Sequence, residues 1–212
     1  MAKQTTALQN LGSLVAHLLP APTTREALCT LPRGAISEIL GDLSSGRTAI
    51  AQSMIATATR AGEVSALVDC DDAFDPASAR DAGAKLEQLL WVQCGHRLEA
   101  ALKATDMILH AGGFGLVLLD LCDTASNALD RVPGSYWYRF RRAIEHTPST
   151  LLIVARRSLA KSCAIRQLSL HQQRFCWSGE APFETIERLE TQATSRKPMA
   201  AASIDLQVRA EA

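Results

Sequence analysis

The residues best placed to do chemistry sit in one short turn, Gly41-Asp42-Leu43-Ser44-Ser45-Gly46-Arg47-Thr48. Its spacing is that of the phosphate-binding loop GxxxxGK[ST], with Arg in the Lys position. The glycines let successive backbone N–H groups curl around phosphate oxygens, and a helix beginning there adds the positive end of its dipole. Gly41, Ser44, Ser45, Gly46, Arg47 and Thr48 are therefore candidate nucleotide-binding residues, and Thr48 would set its hydroxyl on Mg²⁺. Arg47 keeps the positive charge, but a planar fork does not replace a compact ammonium group. It can hold β- and γ-phosphates while spoiling the alignment that in-line attack needs. A Gly-capped strand-to-helix turn with no ligand has the same spacing, so the motif needs support from elsewhere. That support is the apolar run Phe114–Leu119 followed at once by Asp120, the pattern of a strand that presents a second Mg²⁺ carboxylate.

These residues are positioned by alternating elements. Ala35–Leu40 reads as a strand stopped by Gly41, residues 47–61 as a helix closed by Gly62, and Val64–Val68 as a buried strand running into Asp69-Cys70-Asp71-Asp72. Asp75-Pro76 opens a helix through Ala82. Leu89–Gln93 is a strand, 97–110 a helix, 121–134 a loop, 135–146 a helix and Thr150–Ala155 a strand, with a further helical segment near Ser162. Strands alternating with helices at this spacing predict βαβ units and a mainly parallel sheet. The last forty residues change character and predict antiparallel strands at one edge, with Ser195–Pro198 as a hairpin turn. At the other end, Leu8, Leu11, Leu14, Val15, Leu18 and Leu19 form a 3.6-period stripe over 5–19, and Pro20 and Pro22 end it. The expected organisation is an N-terminal helix and linker over 1–30 and one core domain over 31–212.

Composition narrows the class. Nearly half of the 212 residues are apolar, so a sizeable core can form, and the formal net charge is zero. Any attraction to nucleic acid must then come from a local patch. The six cysteines form no CxxC pair and have no His at metal-ligand spacing, which argues against zinc. No apolar run is long enough to cross a membrane and the start has no signal-peptide pattern, so a cytoplasmic location is expected.

Leu31-Pro32-Arg33-Gly34-Ala35-Ile36-Ser37-Glu38-Ile39-Leu40-Gly41, followed by Ser44-Ser45-Gly46-Arg47-Thr48, resembles the opening of the bacterial RecA recombinase core. Leu67-Val68-Asp69-Cys70-Asp71-Asp72-Ala73-Phe74-Asp75-Pro76, then Ala79-Arg80 and Gly83, is similar to the next RecA segment. The resemblance covers about 31–124 well and the rest loosely. It implies a RecA-like core: an α/β, mainly parallel twisted sheet flanked by helices, with ATP and Mg²⁺ as cofactors. It places Asp71 at the glutamate that orients the attacking water. Asp is one methylene shorter, so its carboxylate would fall about 1.5 Å short of that position. Asp75 matches an aspartate near the adenine, Ser78 stands where the family has a base-stacking tyrosine, and Arg157 falls near the γ-phosphate-sensing glutamine. Together these departures imply weak or absent hydrolysis.

The two DNA-binding loops of the family are short here, around 121–134 and after Arg157. Truncated RecA-like proteins of this kind are similar to ImuA-type accessory subunits of translesion mutasomes, and more distantly to SulA-type division inhibitors. That likeness implies a RecA-type recombinase filament and an error-prone polymerase as partners. Single-stranded DNA contact and homo-oligomerisation stay open. Tyr136-Trp137-Tyr138-Arg139-Phe140-Arg141-Arg142 combines aromatics and cations suited to single-stranded DNA. At helical spacing, Tyr136, Phe140 and Ala143 share a face expected to pack on the sheet, leaving Arg139 and Arg142 solvated. With Arg156 and Lys161 these are the DNA-binding candidates. Two functional expectations follow: an interaction subunit linking a recombinase filament to a polymerase, or an active DNA-dependent ATPase that tolerates Arg47 and Asp71.

Overall fold

β1, Ala35–Gly41, is buried at every residue, as a strand with neighbours on both edges and both faces must be. The computed structural model describes residues 31–178, 185–197 and 199–207. The stripe at 5–19, the linker through residue 30 and Cys29 lie outside the described residues.

The remaining strands are β2 Ser65–Asp69, β3 Leu89–Gln93, β4 Leu116–Asp120, β5 Thr150–Ala155, β6 Ala164–Ser178, β7 Thr185–Lys197 and β8 Met199–Gln207. They form one eight-stranded sheet in the order β3-β2-β4-β5-β1-β6-β7-β8. Every pairing from β3 through β6 is parallel, and β6–β7 and β7–β8 are antiparallel. The α/β architecture, the mainly parallel sheet and the antiparallel C-terminal edge are those of a RecA-like core. Arg196 pairs with Met199, so the second hairpin turns where the sequence places it.

The helices are α1 Arg47–Arg60, α2 Pro76–Asp81, α3 Leu98–Ala111, α4 Ser126–Asp130 and α5 Ser135–Ile144. Alternation along the strands divides the core into two layers. Ile39, Leu67, Leu118, Leu152 and Val154 face α1 with its Ile50 and Ile55. Ile36, Val68, Leu119, Leu151 and Ile153 face α3 and α5, where Phe140 and Ile144 are fully buried.

Two stretches differ from the sequence expectation. The loop at 121–134 contains α4, and the helical segment near Ser162 is a single 3-10 turn, Lys161–Cys163, that feeds the long strand β6. β6 is obscured in the sequence because only alternate residues point inward. Leu168, Leu170 and Phe175 pack on the core, while Gln172, Gln173 and Arg174 lie exposed at a register shift. Its first half pairs parallel with β1, so the antiparallel edge begins only at β7.

Candidate functional site at the phosphate loop

The loop between β1 and α1 turns on two glycines. Gly46, the N-cap of α1, is left-handed at φ 87°, a conformation glycine adopts without a Cβ penalty. Gly41 is needed for space: a Cβ there would meet the Ser45 side chain at 2.3 Å and the Leu170 carbonyl at 3.0 Å. No side chain caps α1. The first-turn N–H groups at Arg47–Ala49 have no intrahelical acceptor, as at any helix start. β7 supports the loop from the side, since the buried Thr191 hydroxyl donates to the Ser45 carbonyl at 3.1 Å.

Arg47 does not extend into solvent. Its residue is 4% exposed, and its guanidinium faces the protein. Nε donates to Cys122 Sγ at 2.9 Å, Nη2 donates to the Cys122 carbonyl at 3.1 Å, and Nη1 donates to the Gly41 carbonyl. Asp123 Oδ1 lies 3.6 Å from Nη2. The cation of the phosphate loop thus ties the loop's first residue to the turn after β4. Burial pushes the Cys122 thiol well above the usual thiol range, so a neutral thiol accepts this bond.

Asp120 ends β4 on the α1 face of the sheet, paired in register with Asp69. Burial raises its carboxyl above the ordinary aspartate value, and the Cys122 N–H donates to it at 2.9 Å. A cleft of about 470 Å³ runs between these elements, and Gly46, Arg47, Thr48 and Asp120 all line it. Its other walls are largely apolar, including Leu43, Ile55, Phe74, Phe175 and Leu189. Thr48 is exposed at its mouth.

The other predicted site residues fall elsewhere. Asp71 accepts the Thr124 hydroxyl at 2.9 Å and the Asp123 N–H at 3.2 Å, so it braces the turn after β4. Asp75 is the N-cap of α2. Its carboxylate accepts from the Ala77 and Ser78 amides and the Ser78 hydroxyl, bonds that hold it below the usual aspartate range. Neither residue lines the cleft. Arg157 is also outside it: the guanidinium donates to the Ser126 carbonyl and pairs with Asp130, beside a second hollow. Among the DNA-binding candidates, Arg139 pairs with Asp106 at 2.7 Å and lies over Tyr136. Arg156 donates to the Cys122 carbonyl at 3.3 Å, and Arg142 and Lys161 are exposed. Ser44, Gly46, Arg47, Thr48 and Asp120 line one cleft, and Asp71, Asp75, Arg157 and Arg139 are not part of its lining.

Two residues with large roles carry no clear motif. Glu38, 1% exposed in the middle of β1, accepts from the Ser158 hydroxyl, the Leu159 and Ala160 amides and Gln167 Nε2, each at 2.7–2.8 Å. It pins the β5–β6 connection to the sheet. Asp69, also 1% exposed, accepts from the Ala73 and Phe74 amides and Trp91 Nε1 and shapes the turn after β2. An acid inside an apolar strand run signals such a clamp, because an unpaired buried carboxylate would be prohibitive.

Residues 23–129 match the family model described as the RecA N-terminal domain. The chain belongs to the RecA family. The curated RecA proteins of Leifsonia xyli subsp. xyli and Clavibacter michiganensis subsp. michiganensis are each 41% identical over 90 residues, 42% of this chain and 25% of theirs. Protein RecA of Salinispora arenicola is 39% identical over 90 residues, 42% of this chain and 26% of its own length. The matched stretch of this RecA-family chain therefore spans about a quarter of the length of those relatives.

ATP with Mg²⁺ is the cofactor that the fold implies. The first-turn amides of α1, the exposed Thr48 and Asp120 suit it. The buried Arg47 does not, because its donors serve Gly41, Cys122 and Asp123 instead of offering a charge to the β- and γ-phosphates. In this arrangement the first-turn amides, Thr48 and Asp120 fit the group and the Arg47 side chain does not.

Proposed function

We propose that this RecA-family chain is a DNA-damage-response accessory protein of the ImuA type. It acts through protein–protein contacts in translesion synthesis, and its ATP hydrolysis is weak or lost. The observation that carries this reading is the inward guanidinium of Arg47, which binds the loop to the Cys122–Asp123 turn. Phosphoryl transfer depends almost wholly on positioning and electrostatic stabilisation, so a cation withdrawn from the phosphates removes a main source of rate. Asp71, which does not line the cleft and accepts from the Thr124 hydroxyl and the Asp123 N–H, adds a second loss. On this reading the partners are a RecA-type recombinase filament and an error-prone polymerase, in a cytoplasmic complex.

A second reading keeps the chain as a DNA-dependent ATPase. It is favoured by Thr48 and Asp120 lining one cleft, the arrangement a Mg²⁺ ion would need. Capture of purified recombinase and Y-family polymerase on the immobilised chain, run beside ATP turnover with and without single-stranded DNA, separates the two. Retention of a partner with background turnover is expected. DNA-stimulated turnover with neither partner retained would replace the first reading with the second.

A further inference from the structure

The phosphate loop and the cleft beside it keep their shape with Arg47 turned inward. Ser44 and Gly46 both take left-handed backbone conformations, φ 60° and 87°, of the kind that curls backbone N–H groups around an anion. Thr48 and Ala49 are exposed at the start of α1, and the cleft of about 470 Å³ lies in the usual size range of a small-molecule site. What a triphosphate would miss there is a cation. That cation is part of the cleft wall, with its donors turned away.

The Arg47 guanidinium meets acceptors of two kinds. The Gly41 and Cys122 carbonyls are main-chain groups that any sequence would present at those positions. Cys122 Sγ, 2.9 Å from Nε, and Asp123 Oδ1, 3.6 Å from Nη2, are supplied by this sequence. The sulfur, a weak acceptor, fixes the Nε edge of the planar fork, and the half-exposed carboxylate adds an opposite charge. These two side chains are therefore what directs the arginine inward. The turn that carries them has its own support. Asp120 accepts the Cys122 N–H, Asp71 accepts the Asp123 N–H and the Thr124 hydroxyl, and the Cys122 carbonyl also receives Arg156. Release of the guanidinium takes a donor from the Gly41 carbonyl and leaves the bonds of the turn in place.

We infer that Cys122 and Asp123 are positioning residues that hold Arg47 away from the phosphate loop, so that the site is latched against triphosphate and not lost. The inference rests on reading the chain as one whose ATP hydrolysis is weak or lost, and it supplies the cause. Two positions of one cation compete. Inward, it closes the clasp; outward, it can offer a phosphate a bidentate, charge-assisted contact. A ligand that needs the outward position binds with an affinity reduced by the fraction of molecules in that position. Removing the side-chain acceptors then raises affinity without adding any contact to the ligand. A site merely eroded by substitution has no such reserve.

The test is titration of the full chain with the fluorescent nucleotide N-methylanthraniloyl-ATP in Mg²⁺, with inorganic triphosphate as competitor. Wild type is expected to show no saturable binding in the micromolar range. The double variant Cys122→Ala with Asp123→Asn should bind at least about tenfold more tightly than wild type, and so should Arg47→Lys, which cannot fork between the same acceptors. Triphosphate should compete, and Thr48→Ala added to either variant should abolish the gain. Circular dichroism checks that each variant is folded. Should the double variant unfold, Asp123→Asn alone, at a half-exposed position, is expected to gain about threefold. A gain in Arg47→Lys without one in the acceptor variants overturns the positioning role of Cys122 and Asp123. No gain in any variant, or wild type binding as tightly as they do, overturns the latch. Its failure is distinct from that of the reading beneath it. Variants without gain, beside background turnover and a retained partner for wild type, remove the latch and leave the accessory reading standing. DNA-stimulated turnover by wild type removes that reading and the latch with it.

Discussion

Arg47 Nε donates to Cys122 Sγ across 2.9 Å, joining the loop after β1 to the turn after β4 through a buried side chain. The two segments that would grip a nucleotide from opposite sides are held together by protein alone. Cys122 also receives Arg47 and Arg156 on its carbonyl, so this one residue gathers the loop, the acid-tipped strand and the end of β5.

If Arg47 is a structural brace, removing it must cost stability. Arg47→Ala removes the buried donors to the Gly41 carbonyl and to Cys122, whose carbonyl keeps only Arg156, and is expected to lower unfolding free energy by about 2–4 kcal/mol. Arg47→Lys can reach only some of these acceptors and should cost less, about 1–3 kcal/mol. Urea unfolding followed by circular dichroism checks both, and a change below about 0.5 kcal/mol for Arg47→Ala would show that the brace carries little.

Glu38 should behave in the same way at the other end of the network. Glu38→Gln keeps the shape but turns donors toward donors, and is expected to cost about 2–3 kcal/mol. Hydrogen exchange should show the Leu159 and Ala160 amides losing protection before those of β1. Unchanged protection at those two amides would contradict the clamp.

Asp120 has a pH signature. Burial raises its carboxyl in the folded chain. A carboxyl with a higher folded than unfolded pKa adds stability below the unfolded value, and that contribution is lost as pH rises through the folded value. Wild-type stability should therefore fall relative to Asp120→Asn as pH climbs from about 4 toward neutrality. Parallel melts of the two proteins across that range give the difference directly, and a difference that does not change with pH would refute it.

Gly41 offers a steric test. Gly41→Ala forces a methyl onto the Ser45 side chain and the Leu170 carbonyl, and overpacking of this kind costs about 1–3 kcal/mol. Gly62→Ala, with no atom within 4 Å of the added carbon but φ at 86°, isolates the cost of backbone strain alone. No loss of stability in Gly41→Ala would mean that close approach at Gly41 contributes nothing.

Much of this architecture was legible in the sequence because the central strands are short apolar runs that end in acids or glycine. β1, β3 and β5 fall within a residue of their expected bounds, and the loop at 41–48 lies where its spacing puts it. β6 was not legible, since a strand with one exposed face and a register shift scatters polar residues through its length. At the site, motif spacing located the loop and Asp120 but not the direction of Arg47, which depends on Cys122, 75 residues away. Asp75 and Arg157 were assigned to the nucleotide by resemblance. The bonds each makes in the structure are local, a helix cap at Asp75 and a tie to α4 at Arg157.

The most direct measurement is the melting temperature of the chain with and without saturating Mg²⁺–ATP. A ligand held at about 100 times its dissociation constant stabilises by about 2.7 kcal/mol, a shift of several degrees for a chain of this size. The inward Arg47 predicts a shift within error for the wild type, whereas a shift of several degrees that Thr48→Ala removes would contradict it.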